Sequence, residues 1–343
     1  MALTTRSART TCILLAASLF ALSTGVTGCA AETDDEDVGE LELAKKKKDK
    51  KKDDDKKGDD KKGDDKPADP PPKDIRRFDV LQHNIGGGTE NDGGAAGIAY
   101  TFSRIDAANP DVVLLEEVCA AQYELFKQRY PTWSVLWAQM TTNEGNDRCG
   151  GTPKGQILAS PRAMAEEIRK DLGESDGERA FTLLCGGVSL PNTQRKVLAC
   201  VTHLRAGDDQ AAAREKQAWR IADALNPLAK DGRPVVIGGD LNSNPDAKSL
   251  DHLYRLTRNG GTDGGRFDEA DQTDANRERY AQRDAVKCAG DACRTGEGTM
   301  AANRAKLDYV FFSHNRVVEL GAEVDNAGGS AHKLYRGWAK LEF

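Results

Sequence analysis

Residues 235–245 read VVIGGDLNSNP, and the fold turns on what this run becomes. Val235, Val236 and Ile237 are consecutive and β-branched, which suits a strand covered on both faces. Gly238 and Gly239 leave room for close backbone approach. Asp240 and Asn242 stand two apart, and in an extended chain that spacing turns both side chains to one side. The run therefore predicts a buried strand that ends in a carboxylate and an amide. A plain Asx turn accounts for the same residues without any function, and Asn244-Pro245 supports that turn. The rest of the chain decides whether Asp240 and Asn242 have company.

Working outward, FDVLQHNI (78–85), DVVLLEEV (111–118), WSVLWAQM (133–140), GQILAS (155–160), FTLLCGGVSL (181–190), KVLACVTHL (196–204), KLDYVFFS (306–313), RVVELGAEV (316–324) and LYRGWAKLEF (334–343) have the same strand character. GIAYTFSRIDAAN, AAQYELFKQRY and DDQAAAREKQAWRIADALNPLA read as helices, the last with Ala218, Trp219, Ala222 and Leu225 on one face. LLCGG returning as VLACV predicts an antiparallel hairpin in the middle. Strands and helices alternate irregularly, which gives a layered α/β fold and not a pure βαβ array. NIGGGTENDGG is neither a dinucleotide fingerprint nor a phosphate loop, so nucleotide cradling has no support.

The chain has 343 residues and a net charge of −6, which gives no global attraction for nucleic acid, so an anionic substrate must meet a local patch or a metal. At the start, Arg6 and Arg9 precede CILLAASLFAL, too short an apolar run to span a membrane and typical of an export signal. Val26-Thr27-Gly28-Cys29 resembles a bacterial lipobox, which makes residues 1–28 a lipoprotein-type signal peptide and Cys29 the site of lipidation. Residues 29–74 carry alternating Lys and Asp with little to bury and read as a disordered charged tether. Residues 75–343 suit one large domain, expected to be a monomer. The expectation is export, with a lipid anchor at the bacterial cell envelope or secretion.

Export permits disulfides. Cys185 and Cys200 sit in the hairpin partners and are expected to be bridged. Cys288 and Cys293 close a short loop, which leaves Cys119 with Cys149. The five histidines are scattered, which argues against a Cys/His zinc site.

Several strands end in the same kinds of residue: His83-Asn84, Glu116-Glu117, Thr202-His203, Asp240 with Asn242, and Asp308, with His332 near the C-terminus. Ionisable residues recurring at strand ends mark a site at one edge of a sheet. In these ordered motifs, LQHNI, DVVLLEEVC, VTHL, GGDLN, KLDYVF and SAHKLYRG, the sequence resembles the endonuclease/exonuclease/phosphatase family of DNase I-like, metal-dependent phosphodiesterases. The resemblance implies a four-layer α/β sandwich of two packed mixed β-sheets flanked by helices.

It also implies roles. Glu117 becomes the principal metal carboxylate with Asn84 beside it, holding Mg²⁺ or alternatively Mn²⁺, although Glu116 replaces the family's usual glutamine and leaves open which glutamate binds. Asp240 and Asn242 orient water and phosphate. His332 is the general base with Asp308 behind it, unless Asp240 itself is the base. His203 contacts the phosphate or protonates the leaving oxygen, Thr299 is a further phosphate contact, and Arg214 with Gln217 is an architectural pair.

One departure stands out. The family reads Ser-Asp-His where this chain has Ser330-Ala331-His332, so the ion loses a carboxylate and should bind more weakly, unless a neighbour such as Asp325 fills the gap. The function expected is phosphodiester hydrolysis, with nucleic acid as the favoured substrate. A sphingomyelinase, an inositol-phosphate phosphatase and a weakened phosphate-binding relative are the alternatives. The polar segment bearing Arg258, Arg266, Arg277, Arg279, Arg283 and Arg294 suits nucleic acid better than a lipid surface.

Overall fold

The structure is a computed structural model that describes residues 73–141, 147–175, 177, 179–255, 265–272, 294, 296–303 and 305–343. The expected signal peptide, the tether, Cys29, the pair Cys288 and Cys293, and Arg258, Arg277, Arg279 and Arg283 lie outside the described residues.

One six-stranded sheet has the order β11 (Val317–Val324), β12 (Tyr335–Glu342), β1 (Ile75–Asn84), β2 (Val112–Cys119), β4 (Lys154–Ser160), β3 (Ser134–Gln139). The other, also of six strands, runs β5 (Met164–Asp171), β6 (Thr182–Ser189), β7 (Lys196–Val201), β8 (Val235–Asp240), β10 (Asp308–Ser313), β9 (Phe267–Glu269). Each is mixed, since β1 and β2 are parallel in the first and β7 and β8 in the second, while their other pairs are antiparallel.

The alternation of side chains explains why the central strands are apolar throughout. Val112 and Leu114 of β2 face the second sheet, where they join Val201, Val236 and Val310. Val113 and Leu115 face outward, against Ile98 and Ile105 of α1 (Ala96–Ala108) and Phe126 of α2 (Ala120–Arg129). On the far side, Leu198 and Ile237 pack against Ala218, Ile221 and Leu225 of α3 (Ala211–Lys230). The layers are thus helix, sheet, sheet, helix. Truncating one of these wholly buried leucines to alanine costs about 2–5 kcal/mol. At the end of α1, Asn109 adopts a left-handed conformation (φ 46°) and donates its N–H to Ile105 O, a cap that the following Pro110 makes final.

Three elements differ from expectation. Trp219 does not share the buried face of α3 but is 55% exposed; the inward stripe is Ala218, Ile221, Ala222 and Leu225. β5 is an edge strand of largely exposed residues, MAEEIRKD, whose charges protect an open edge. β9 lies inside the segment read as a polar insertion, and its Phe267, Asp268 and Glu269 are buried.

Both testable disulfides form as expected. Cys185 and Cys200 face each other directly across the β6–β7 hairpin. Cys119–Cys149 ties the end of β2 to the loop that leads into β4. Among the described residues no helix is long and apolar enough to cross a membrane.

Candidate active site

The two parallel pairs deliver their C-terminal ends to the same edge of the sandwich. Asn84 closes β1, Glu117 stands near the end of β2, and Asp240 closes β8. Asp308 opens β10 directly opposite Asp240, because those strands are antiparallel. Asn84 links the two sheets, its Nδ2 donating to Asp240 Oδ2 at 3.0 Å and lying 3.5 Å from Glu117 Oε1. Its Oδ1 accepts the Gly86 N–H at 3.1 Å.

His332 lies in the chain between β11 and β12. Its Nδ1 is 2.9 Å from Asp308 Oδ2, and its Nε2 faces Asp240 Oδ2 at 3.6 Å, beyond direct hydrogen-bonding reach. Burial disfavours the charged imidazole, but Asp308 and Asp240 outweigh it and raise His332 to about 10. Burial would likewise raise Asp240, yet His332 and His203 prevail and hold it below the usual carboxylate range. His203 Nε2 approaches the same Asp240 oxygen at 3.4 Å.

A second ring of residues holds this geometry. Gln82 Nε2 donates to Asp308 Oδ1 at 3.0 Å and to Glu116 Oε2 at 2.8 Å. The buried ring of His83 is pushed down to about 4 by desolvation, so it is neutral and bridges the Thr101 hydroxyl and the His332 carbonyl. Arg214 Nη1 donates to the carbonyls of Arg205 and Gly207, and Gln217 accepts the Arg205 N–H, which fixes the turn after His203.

The adjacent glutamates divide clearly. Glu116 is wholly buried, and desolvation, reinforced by Asp308, raises its carboxyl well above the ordinary range. A protonated Glu116 resembles the neutral glutamine expected at this place. Glu117 adopts a left-handed backbone (φ 54°) at a register shift between β2 and β4, which turns it toward the site. Burial would raise Glu117, but His203 and Lys154 lower it on balance. Lys154 Nζ sits 2.7 Å from Glu117 Oε2 with both side chains mostly buried.

Two residues are placed differently from the reading of the sequence. Asn242 is not extended but left-handed (φ 47°); its N–H donates to Asp240 Oδ1 and its side-chain amide to Leu204 O. It closes an Asx turn and braces the chain after β7. Thr299 is fully buried, and its hydroxyl accepts the N–H groups of Leu307 and Asp308. It therefore positions Asp308 from behind. His83, noted among the strand-end residues, was given no role, and Gln82 and Lys154 were missed as site residues: Gln82 lies within a strand that reads as core, and Lys154 follows a loop with no motif.

The donor set suits a hard divalent cation. Asp240, Asp308 and His332 offer ligand atoms within 4.8 Å of one another, Glu117 adds an ionised carboxylate, and oxygen donors predominate. The Lys154 ammonium against Glu117 shows that this carboxylate attracts positive charge.

Solved structures share this architecture. The human Nocturnin catalytic domain, with bound sulfate, aligns at TM-score 0.55 and 16% identity over 78% of this chain and 98% of its own. An endonuclease/exonuclease/phosphatase family protein from Bacteroides thetaiotaomicron aligns at 0.52 and 14%, over 79% and 100%. TDP2 from D. rerio, complexed with single strand DNA product, aligns at 0.51 and 15%, over 76% and 98%. No curated protein matches the chain. Two packed mixed sheets between helices, with carboxylates and a histidine gathered at one edge, define the DNase I-like fold. The family model for Endonuclease/Exonuclease/phosphatase matches residues 81–332, and the chain belongs to that family.

Proposed function

We propose that this protein is an exported, Mg²⁺- or Mn²⁺-dependent phosphodiesterase that acts on nucleic acid. The observation that carries the reading is the His332–Asp308 pair at 2.9 Å, with the free His332 nitrogen directed at Asp240. Such a pair is the arrangement of a general base and the carboxylate that orients it.

A divalent ion held by Glu117, with Asp240 and Asp308 close by, would supply positive charge against the phosphate oxygens. Asn84 keeps Glu117 and Asp240 at a fixed separation across the two sheets. Asp240 Oδ2 and His332 Nε2 stand 3.6 Å apart and face the same side of the site. Asp308 and Asp240 hold His332 protonated in the metal-free protein. A divalent ion would offset their charge and lower His332, and the neutral ring then takes the proton of the attacking water at Nε2 while Asp308 stabilises the imidazolium that results. His203, beside the same carboxylate, donates to a phosphate oxygen or to the leaving oxygen.

Nucleic acid is favoured because the D. rerio TDP2 neighbour carries a single strand DNA product. The arginines of the polar segment support it less than their number implied, since Arg294 is buried and paired with Asp251. Export and lipidation at Cys29 rest on the N-terminal sequence, and the two disulfides agree with an oxidising compartment. Ala331 favours a second reading, a relative that binds phosphate-rich ligands without turnover. Assay of the purified protein against DNA, RNA, sphingomyelin and inositol phosphates, with chelator, Mg²⁺ or Mn²⁺, separates these. The expected result is metal-dependent cleavage of nucleic acid; binding without cleavage under every metal would sink the proposal.

A further inference from the structure

Ala331 offers no side chain, yet its backbone N–H donates to Glu90 Oε2 at 2.8 Å, a contact that spans 241 positions. Glu90 reaches it from the glycine-rich turn after β1. Gly86 is left-handed there (φ 55°), and the Glu90 N–H closes the turn on the Gly86 carbonyl at 3.0 Å. The Glu90 carboxylate then lies over Gly86, so that a Cβ on residue 86 would come within 2.2 Å of Oε2. Any side chain at 86 would expel it, and this is the close approach that glycine permits.

The turn that carries this carboxylate is tied to the site. The Gly86 N–H holds Asn84 Oδ1, and the Thr89 hydroxyl lies 3.5 Å from Glu117 Oε2. On the other side, Ser330 Oγ donates to the Asn84 carbonyl and accepts the His332 N–H. Glu90 itself is exposed, its Oε2 on the Ala331 N–H and its Oε1 with no partner among the described residues, while the turn that carries it is tied through Gly86 and Thr89 to Asn84 and Glu117. Asp325, the substitute considered from sequence, is instead paired with Arg104 and lies against Tyr100.

We propose that Glu90 supplies the metal site with the negative charge that Ala331 lacks, acting from outside the ion's direct ligands. This rests on the metal-dependent reading above. A carboxylate there orients the waters a hard cation retains and adds to the field that holds it. It also removes the expectation that this chain binds metal unusually weakly.

The test is Mn²⁺ titration by calorimetry on the full chain, as wild type, Glu90→Gln, Glu117→Gln and the double variant Glu90→Gln with Ala331→Asp. Melting curves in chelator verify that each is folded. Glu90→Gln keeps the acceptor for the Ala331 N–H and removes only charge, and it should weaken Mn²⁺ binding about tenfold. Ala331→Asp should restore most of that loss in the double variant, which a merely structural role for Glu90 would not allow. Wild-type affinity in Glu90→Gln, with weak binding in Glu117→Gln, would overturn the role of Glu90 and leave the metal site standing. No Mn²⁺ binding by the wild type would overturn both.

Discussion

Lys154 and Glu117 form an ion pair at 2.7 Å across the β2–β4 boundary, and the ammonium occupies the carboxylate that a divalent ion needs. Lys154→Met should therefore have two opposite effects. In chelator it leaves Glu117 largely buried and unpaired, so the melting temperature falls. With Mn²⁺ present the competitor is gone, so half-saturation should come at a several-fold lower concentration and the metal-induced rise in melting temperature should be larger. Unchanged metal affinity would mean that Lys154 does not compete for this oxygen.

Glu116 and Glu117 are neighbours with opposite expected responses to the same substitution. Glu117→Gln removes an ionised carboxylate and should cost roughly a hundredfold or more in rate, in keeping with several kcal/mol of lost charge stabilisation. Glu116→Gln should retain a rate close to wild type. Because the folded carboxyl of Glu116 lies above its ordinary value, its contribution to stability is present at acidic pH and is lost as pH rises. Glu116→Gln escapes that loss and should melt higher than wild type at pH 8. Melting curves and rates for both variants check this, and a crippled Glu116→Gln would reverse the assignment.

His332 carries a further pH signature. Its folded value is raised from 6.5 to about 10, so the stability it contributes is fully present below about 6.5 and disappears as pH rises toward 10. Denaturant melts in chelator between these limits should show a steeper decline for wild type than for His332→Gln. Parallel curves would show that the imidazolium is not held by Asp308 and Asp240.

The fold was legible where burial dominates. β2, β7, β8 and β10 are apolar on both faces because each lies between a partner sheet and another layer, and their sequences say so. β5 was not among the strands read from the sequence, since an edge strand needs only Met164 and Ile168 to face inward and its acidic and basic residues leave no apolar run. Trp219 misled for the converse reason: an aromatic beside an apolar stripe suggests burial, while its place one residue past Ala218 turns it to solvent. Within the site, Asn84, Glu117, Asp240 and Asp308 were readable from their places at strand ends and His332 from the stretch before the last strand, and the structure brings them together. Glu90 was not, because its contact with Ala331 depends on a glycine turn and on a segment 241 positions away, and neither leaves a periodic trace.

The most direct test of the account is the rate of DNA phosphodiester cleavage by wild type, His332→Ala and Asp308→Asn, each with saturating Mn²⁺ and again with chelator. The account predicts cleavage by wild type only when metal is present. It predicts a loss of about a hundredfold or more in His332→Ala, as for the removal of a general base, and a substantial loss in Asp308→Asn with metal affinity largely retained. Wild-type rates in His332→Ala, or equal cleavage in chelator, would contradict it.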